Sequence, residues 1–166
     1  MKPRLYLETS IISYLAALPS RDLIVAAHQQ ITHEWWAERR DRYELFVSDL
    51  VIQEAQCGDP NAADRRMAIV NRLQCLSINE QVRFLAREII RAGCLPSKAG
   101  DDAVHIALAA VHGMDYLLTW NCRHIANALT RQRITENFRR YGVVASVIST
   151  PEELPEEESP CGTIPS

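Results

Sequence analysis

The sequence lacks the marks of several protein classes. Its five cysteines are odd in number, widely spaced and form no Cys-x-x-Cys pair, so neither a disulfide framework nor a zinc ribbon is indicated. No apolar run approaches the ~20 residues that span a bilayer, and no secretion signal precedes the first predicted strand. The six glycines form no phosphate-cradling loop. We therefore expect a protein of the reducing cytoplasm without a membrane partner.

A strongly basic surface is also lacking, because the formal net charge is -3. Residues 151–166 contain five Glu and no Lys or Arg, which leaves 16 acidic against 18 basic residues in the remainder, a net charge of +2. That balance is compatible with an RNA substrate but does not argue for one. The glutamates and prolines predict an acidic, disordered tail over 151–166. One globular domain is expected over 1–150.

Short apolar segments alternate with helical ones along the domain. Strands are predicted at 4–8, 45–48, 75–78, 116–120 and 143–148, and helices between them include 22–40, 80–92 and 125–141. Thr9 and Ser10 are expected to cap the first helix, and Ser48 or Asp49 the helix after the second strand. Alternation of this kind predicts an α/β fold, with a mostly parallel sheet of about five strands covered by helices on both faces.

Polar residues fall near the ends of the predicted strands. Glu8 ends the first strand, Glu54 lies on the first turns of the helix after the second, Asp102 opens the helix before the fourth, and Asn121 follows the fourth. Ligands of open α/β sheets bind outside the carboxyl ends of the strands, so these four residues are predicted to share a pocket. Oxygen ligands of this kind suit Mg²⁺ or Mn²⁺. An ion held there would polarise a phosphate oxygen and activate water, which indicates phosphodiester hydrolysis.

Each of these residues also has a purely structural explanation. Asp101 and Asp102 could cap a helix and complement its dipole. This is the preferred explanation for Asp101, whereas for Asp102 the structural and the functional explanations carry nearly equal weight. Glu54 taken alone could be one exposed helix acid among many. Glu8 is harder to explain in this way, because a carboxylate ending a buried strand requires a partner. Thr9, Ser10 and Asn121 are of residue types that commonly cap helices, and capping explains them equally well.

Four segments, in this order, resemble the PIN-domain family, and in particular the VapC-like toxins of bacterial toxin-antitoxin pairs. They are YLETSII at 6–12, VSDLVIQE at 47–54, DAVHIALA at 102–109 and LLTWN at 117–121, and the resemblance covers nearly all of residues 4–150. It places the family's four catalytic positions on Glu8, Glu54, Asp102 and Asn121, with the first three as metal ligands. Oxygens from Thr9, Ser10 and Thr119 are expected to support them.

The resemblance implies a PIN-like three-layer α/β/α fold and Mg²⁺- or Mn²⁺-dependent endoribonuclease activity. It also implies a homodimer and a cognate antitoxin. Two positions depart from the family, which usually has Asp where this chain has Glu8 and commonly Asp where it has Asn121. Glu reaches one methylene further, and Asn keeps an oxygen but loses the charge. The alternative is therefore a catalytically weak PIN-like module that binds RNA or protein.

Basic residues near the fourth strand are candidates for contact with an RNA backbone, and a solvated helix face explains them equally well. They include Arg123, His124 and Arg131. A phosphatase-like domain that phosphorylates an acid is disfavoured, because Glu8 is not followed by Asp two positions later.

Two further features have open interpretations. His105 lies three residues after Asp102 on the same helix face; it either contacts the site or, as the favoured explanation, is a hydrogen-bonded core histidine. Trp35 and Trp36 could line a dimer or antitoxin groove, with one of them expected in the core.

Overall fold

The computed structural model of the chain describes residues 1–156. The strands are β1 (Arg4–Leu7), β2 (Glu44–Ser48), β3 (Gln74–Leu76), β4 (Tyr116–Leu118) and β5 (Val147–Ser149). The α-helices of the described residues are α1 (Thr9–Ala16), α2 (Leu23–Arg39), α3 (Asp49–Ala55), α4 (Pro60–Val70), α5 (Glu80–Arg91), α6 (Gly100–Val111) and α7 (Ala128–Arg139). A single 3₁₀ turn, Arg40–Arg42, joins α2 to β2.

The five strands form one parallel sheet in the order β3-β2-β1-β4-β5. β1 is central: Tyr6 pairs with Phe46 of β2 on one side and with Leu117 of β4 on the other. A strand surrounded in this way must be apolar on both faces, and Leu5, Tyr6 and Leu7 are fully buried. The predicted α/β class with a parallel sheet of five strands is confirmed.

The direction in which successive strands are added across the sheet reverses between β1 and β4. The chain proceeds from β1 to β2 and β3 on one side, then returns through α5 and α6 to β4 and β5 on the other. Right-handed crossovers place α1 to α4 on one face of the sheet and α5 to α7 on the other. In this topology the carboxyl ends of β1 and β4 border a crevice, the usual ligand site of open parallel sheets.

Side-chain caps explain where most helices begin. Carboxylate, amide or hydroxyl oxygens accept first-turn N–H groups at Glu8, Asp22, Ser48, Asp59, Asn79 and Asn127. Ser48 was one of the two predicted caps of α3. The prediction for α1 was wrong, because Glu8 caps that helix while Thr9 and Ser10 lie inside its first turn. Ala99 occupies the cap position of α6, so Asp101 is not a cap either and belongs to the first turn.

The last third of the domain differs most from the sequence prediction. β5 begins at Val147 rather than at 143, and α7 begins at Ala128 rather than at 125. A turn occupies the residues before α7, because the carbonyl oxygen of Asn121 accepts hydrogen bonds from the backbone N–H groups of Ile125 and Ala126. The helix begins only after this turn, where the Asn127 side chain caps it.

Part of the predicted tail packs against the domain. Leu154 is buried, and Arg39 donates hydrogen bonds to the carbonyl oxygens of Leu154 and Pro155. Glu153 accepts hydrogen bonds from Arg131 and from the N–H of Thr150. The predicted disorder therefore does not extend to residues 151–156, while residues 157–166 lie outside the described part of the chain.

Two smaller expectations can be compared with the structure. Trp35 is buried in the core. Trp36 is half-buried, and the Arg40 guanidinium carbon lies over its ring, 5.0 Å from the ring centroid. Cys57, Cys75, Cys94 and Cys122 are free thiols, and Cys161 lies outside the described residues. Within residues 1–156, no helix combines the length and apolar character needed to cross a bilayer.

Candidate active site

Glu8 is anchored at the carboxyl end of β1 by one of its two carboxylate oxygens. Its Oε2 accepts hydrogen bonds from the N–H of Ser10 at 3.1 Å, from the Ser10 hydroxyl, and from the Thr119 hydroxyl at 2.7 Å. The residue is only 5% exposed. A buried carboxylate needs such donors. All three bonds are to Oε2, so Oε1 makes none of them and lies on the side of His105.

Glu54 reaches the same place from the far end of α3. It is the sixth residue of that seven-residue helix and therefore lies on the second of its two turns. Its Oε1 lies 2.7 Å from Nε2 of His105, and that nitrogen is 3.9 Å from Oε1 of Glu8. His105 is therefore both a buried histidine and a part of the site.

Two hydroxyl groups, those of Tyr6 and Ser48, lie on the Nδ1 side of the His105 ring. The Tyr6 hydroxyl lies 2.6 Å from Nδ1 of His105 and 2.8 Å from Oγ of Ser48, which accepts a hydrogen bond from the N–H of Val51. Sequence reasoning missed Tyr6 and Ser48 as neighbours of the site, because Tyr6 fits an apolar strand and Ser48 fits a helix cap. The available signal was that a buried tyrosine needs a partner for its hydroxyl.

Burial and charge act in opposite directions on this cluster. Burial alone would lower the pKa of His105, but the hydrogen bond to Glu54 and the negative charges of Glu8, Glu54 and Asp102 outweigh it, so the pKa is raised. Burial raises the pKa of Tyr6 well above its usual value, and the neighbouring carboxylates add to that effect. The Tyr6 hydroxyl thus stays protonated at neutral pH, and the carboxylates create a negative potential around the imidazole.

A second cluster forms between α6 and the turn after β4. Asn121 donates a hydrogen bond from Nδ2 to Oδ1 of Asp102 at 2.9 Å, and its own Oδ1 accepts the N–H of His124 at 3.1 Å. Nδ1 of His124 lies 2.8 Å from Oδ2 of Asp102. Both oxygens of Asp102 therefore have protein partners, and His124 is placed beside an acid rather than at an open surface.

Hydroxyl groups connect the two clusters. The Thr119 hydroxyl donates to Glu8 and accepts the N–H of Asn121 at 2.9 Å. The Ser10 hydroxyl likewise donates to Glu8 and accepts the N–H of Trp120 at 2.8 Å. These bonds join β1 to the backbone that follows β4, so the four predicted positions are brought to one region, as two linked pairs.

The donor set fits a divalent cation. One ligand atom each from Glu8, Glu54 and His105 lies within 4.8 Å of the others, so two carboxylates and one imidazole can converge on one ion. Asp102 borders this group through its charge on His105 but is not a member of it. The buried hydroxyl of Thr9, the residue after Glu8, has no hydrogen-bond partner within residues 1–156.

The predicted RNA-contacting residues have different surroundings. Arg123 is exposed on the turn that follows Asn121. Arg131 makes a two-pronged ion pair with Glu153, at 3.1 and 2.7 Å, and this hydrogen bonding lowers the pKa of Glu153. Arg131 is thus already engaged by a carboxylate, whereas Arg123 has no ion pair among the described residues.

The family model described as "PIN domain" matches residues 5–128, a span that contains all four predicted catalytic positions. No curated protein matches the chain in sequence. The family assignment therefore rests on the family model, together with the fold.

Three solved structures of low sequence identity share this fold. VapBC2 from Rickettsia felis, solved with a promoter DNA fragment, is 15% identical with a TM-score of 0.56, covering 88% of this chain and 97% of its own. VapC20 from Mycobacterium tuberculosis, described as a toxin that cleaves the sarcin-ricin loop, is 16% identical with a TM-score of 0.55, covering 74% of this chain and 93% of its own. VapBC-1 from nontypeable Haemophilus influenzae is 17% identical with a TM-score of 0.56, covering 90% of this chain and 98% of its own. The chain belongs to the PIN-domain family, and its fold is that of the VapC proteins.

Proposed function

We propose that this chain is a divalent-metal-dependent endoribonuclease that acts as the toxin of a toxin-antitoxin pair. The observation that carries the proposal is the meeting of Glu8 and Glu54, from opposite parts of the first 60 residues, beside Asp102 at the crevice between β1 and β4. Carboxylates gathered in this way repel one another unless a cation lies among them. The proposed ion is Mg²⁺ or Mn²⁺.

A divalent cation bound there supplies polarisation of a phosphate oxygen and activation of a water molecule. The protein's own groups hold the ligands in place. Ser10 and Thr119 fix the Glu8 carboxylate, His105 fixes Glu54, and the site is bounded by Asn121. Arg123, which is exposed three residues after Trp120, is the residue that we propose attracts a phosphate backbone.

The direct test is cleavage of a mixed RNA pool by the purified protein in Mn²⁺, Mg²⁺ or EDTA. We expect cleavage with either cation and none in EDTA. The Glu8→Gln, Glu54→Gln and Asp102→Asn variants should each lose cleavage by about 100-fold or more, because each removes a charge from the site. Circular dichroism and unfolding in urea establish that the variants are folded.

The matched control is Asp101→Asn. Asp101 precedes Asp102 in the first turn of α6, is exposed, and has no side-chain hydrogen bond within residues 1–156. The same change of charge one residue away should leave cleavage within about twofold of wild type. Equal losses at positions 101 and 102 would contradict a specific role for Asp102.

The second candidate function is a catalytically weak module that binds RNA or protein. It is favoured by Asn121, whose amide donates to Asp102 where the family commonly has a carboxylate. A folded wild-type protein that binds RNA but cuts none in any cation would establish this alternative in place of the nuclease.

Toxin action, the antitoxin and the homodimer require separate experiments. We expect expression of the chain to arrest bacterial growth, and expression of Asp102→Asn not to do so. Light scattering of the purified protein should give twice the 18.8 kDa chain mass for the proposed homodimer. Growth arrest that persists with Asp102→Asn would argue against RNA cleavage as its cause.

A further inference from the structure

One imidazole edge points at the carboxylate pair of the site. Nε2 of His105 lies 2.7 Å from Oε1 of Glu54 and 3.9 Å from Oε1 of Glu8, and the histidine is only 1% exposed. The three ligand atoms fall within 4.8 Å of one another. An ion among them would be coordinated by two oxygens and a nitrogen, not by oxygens alone.

Apart from the contact between His105 and Glu54 themselves, the hydrogen bonds around the site do not occupy these ligand atoms. Glu8 uses Oε2 for Ser10 and Thr119, so its Oε1 is the oxygen on the side of His105. The only hydrogen bond that the Glu54 side chain makes within residues 1–156 is the one to His105. Both oxygens of Asp102, in contrast, are engaged by Asn121 and His124. The free coordinating capacity therefore lies in the Glu8, Glu54 and His105 group.

The other nitrogen of His105 has the environment of a metal ligand. A coordinating histidine generally has its second ring nitrogen hydrogen-bonded, which fixes the tautomer and the ring plane. Here Nδ1 faces the Tyr6 hydroxyl at 2.6 Å, and that hydroxyl lies 2.8 Å from the Ser48 hydroxyl. When Nδ1 carries the proton, the Tyr6 oxygen accepts it and Tyr6 donates to Ser48. A hydroxyl hydrogen can reorient to suit its partners, so the Tyr6 and Ser48 hydroxyls are compatible with the tautomer of His105 that has a bare Nε2.

We propose that His105 is a nitrogen ligand of the cation, with Glu8 and Glu54, and that the site prefers first-row transition-metal ions to Mg²⁺. The inference rests on the proposed function, since it specifies the coordination of the same site. Mg²⁺ prefers oxygen ligands and retains its waters. Imidazole is instead a ligand of transition-metal ions, and the affinity of a given site for these ions increases along the series from Mn²⁺ to Cu²⁺. The four positions of the family resemblance include no such nitrogen.

The test uses the wild-type chain loaded with Mn²⁺ and a measurement that reports the ligand atom itself. Electron spin-echo modulation of the bound Mn²⁺ should show coupling to a directly coordinated ¹⁴N. Protein labelled with ¹⁵N-histidine should show the ¹⁵N pattern instead, which identifies histidine without any substitution. His105→Gln should remove the coupling and weaken Mn²⁺ binding by about 10-fold or more. Mg²⁺ affinity should change by less than about threefold, since Mg²⁺ gains little from nitrogen.

The matched control is His124→Gln, which removes the other histidine near the site. His124 bonds to Asp102 and not to the Glu8 and Glu54 pair, so this variant should keep the nitrogen coupling. If His105→Gln does not fold, the labelled wild type and His124→Gln still test the assignment. Histidine coupling that persists in His124→Gln indicates His105, because it is the histidine that the described residues group with Glu8 and Glu54.

Three results would overturn the inference. Bound Mn²⁺ without nitrogen coupling would mean that His105 only orients Glu54. Coupling lost in His124→Gln would move the ligand to the Asp102 cluster, and absence of Mn²⁺ binding would remove the site altogether. RNA cleavage measured on the same preparations separates this inference from the proposed function. Metal-dependent cleavage without nitrogen coupling leaves the nuclease standing and rejects His105 as a ligand.

Discussion

The Tyr6 hydroxyl lies 2.6 Å from Nδ1 of His105, in the buried space between the central strand and α6. The two residues are separated by 99 positions in the sequence, and neither reaches solvent. Their contact determines the orientation of the imidazole and hence the direction in which Nε2 meets Glu54. The core and the candidate site are therefore coupled through one hydrogen bond.

Tyr6→Phe should destabilise the protein by about 1–3 kcal/mol, because it leaves the buried Nδ1 of His105 without a partner. Ser48 also loses its contact with the Tyr6 hydroxyl, but it keeps the hydrogen bond that it accepts from the N–H of Val51. Urea unfolding in EDTA measures the effect. The control is Tyr43→Phe, since the Tyr43 hydroxyl makes no hydrogen bond within residues 1–156 and its removal should cost less than about 0.5 kcal/mol. Equal costs would show that the Tyr6 contact contributes nothing specific.

Asn121→Asp should make stability depend more strongly on divalent cations. The Asn121 amide now donates to Asp102 at 2.9 Å, and a carboxylate there would place two negative groups in contact. In EDTA we expect a loss of about 1–3 kcal/mol. Mn²⁺ should then raise the unfolding temperature of the variant more than that of the wild type, as thermal unfolding with and without the ion will show.

The control for this change is Asn127→Asp. Asn127 caps α7, where Asp serves as well as Asn, so neither stability nor the response to Mn²⁺ should change appreciably. An Asn121→Asp protein that responds to Mn²⁺ no more than this control would show that position 121 lies too far from the cation to matter.

Arg123 and Arg131 should differ in their contribution to RNA binding. Arg123 is exposed and has no ion pair among the described residues, whereas Arg131 is paired with Glu153. In the inactive Asp102→Asn background, Arg123→Gln should reduce the salt dependence of single-stranded RNA affinity by about 0.7 in log–log slope, the value for one phosphate contact. Arg131→Gln should leave the slope unchanged. The reverse order in a filter-binding titration would show that RNA displaces Glu153.

The ion pair of Glu153 should contribute a pH-dependent increment of stability. Hydrogen bonding to Arg131 lowers the pKa of Glu153 in the folded protein, so the unfolded chain binds this proton at higher pH than the folded chain. The contribution is therefore complete above the usual glutamate pKa of about 4.3 and is lost as pH falls through the lowered value. Because the pair is half exposed, Glu153→Gln should cost less than about 1 kcal/mol at neutral pH.

Urea midpoints of wild type and Glu153→Gln, measured from neutral pH down to about pH 3, test this directly. The difference between the two proteins should shrink as the solution is acidified. A difference that stays constant or grows towards low pH would mean that the Glu153 carboxylate is not what stabilises the packed segment 151–156.

The sequence by itself determined the order of strands and helices, though not all of their bounds, and the chain region of the site. Apolar runs such as Leu5–Leu7 are local signals of a strand buried on both faces, and their alternation with helices fixes a parallel sheet. Because parallel strands present their carboxyl ends at one edge, the positions of Glu8 and Asn121 along the chain are enough to assign both residues to one crevice. These inferences need only periodicity and chain direction.

Only the tertiary structure decided which side chains meet. Glu54 comes from the far end of a short helix, and His105 contacts it across 51 residues because α3 and α6 approach each other there. Asp102, three positions before His105, faces Asn121 and His124 instead. Such pairings depend on the relative placement of helices to within a hydrogen-bond length, and neither spacing nor propensity along the chain contains that distance.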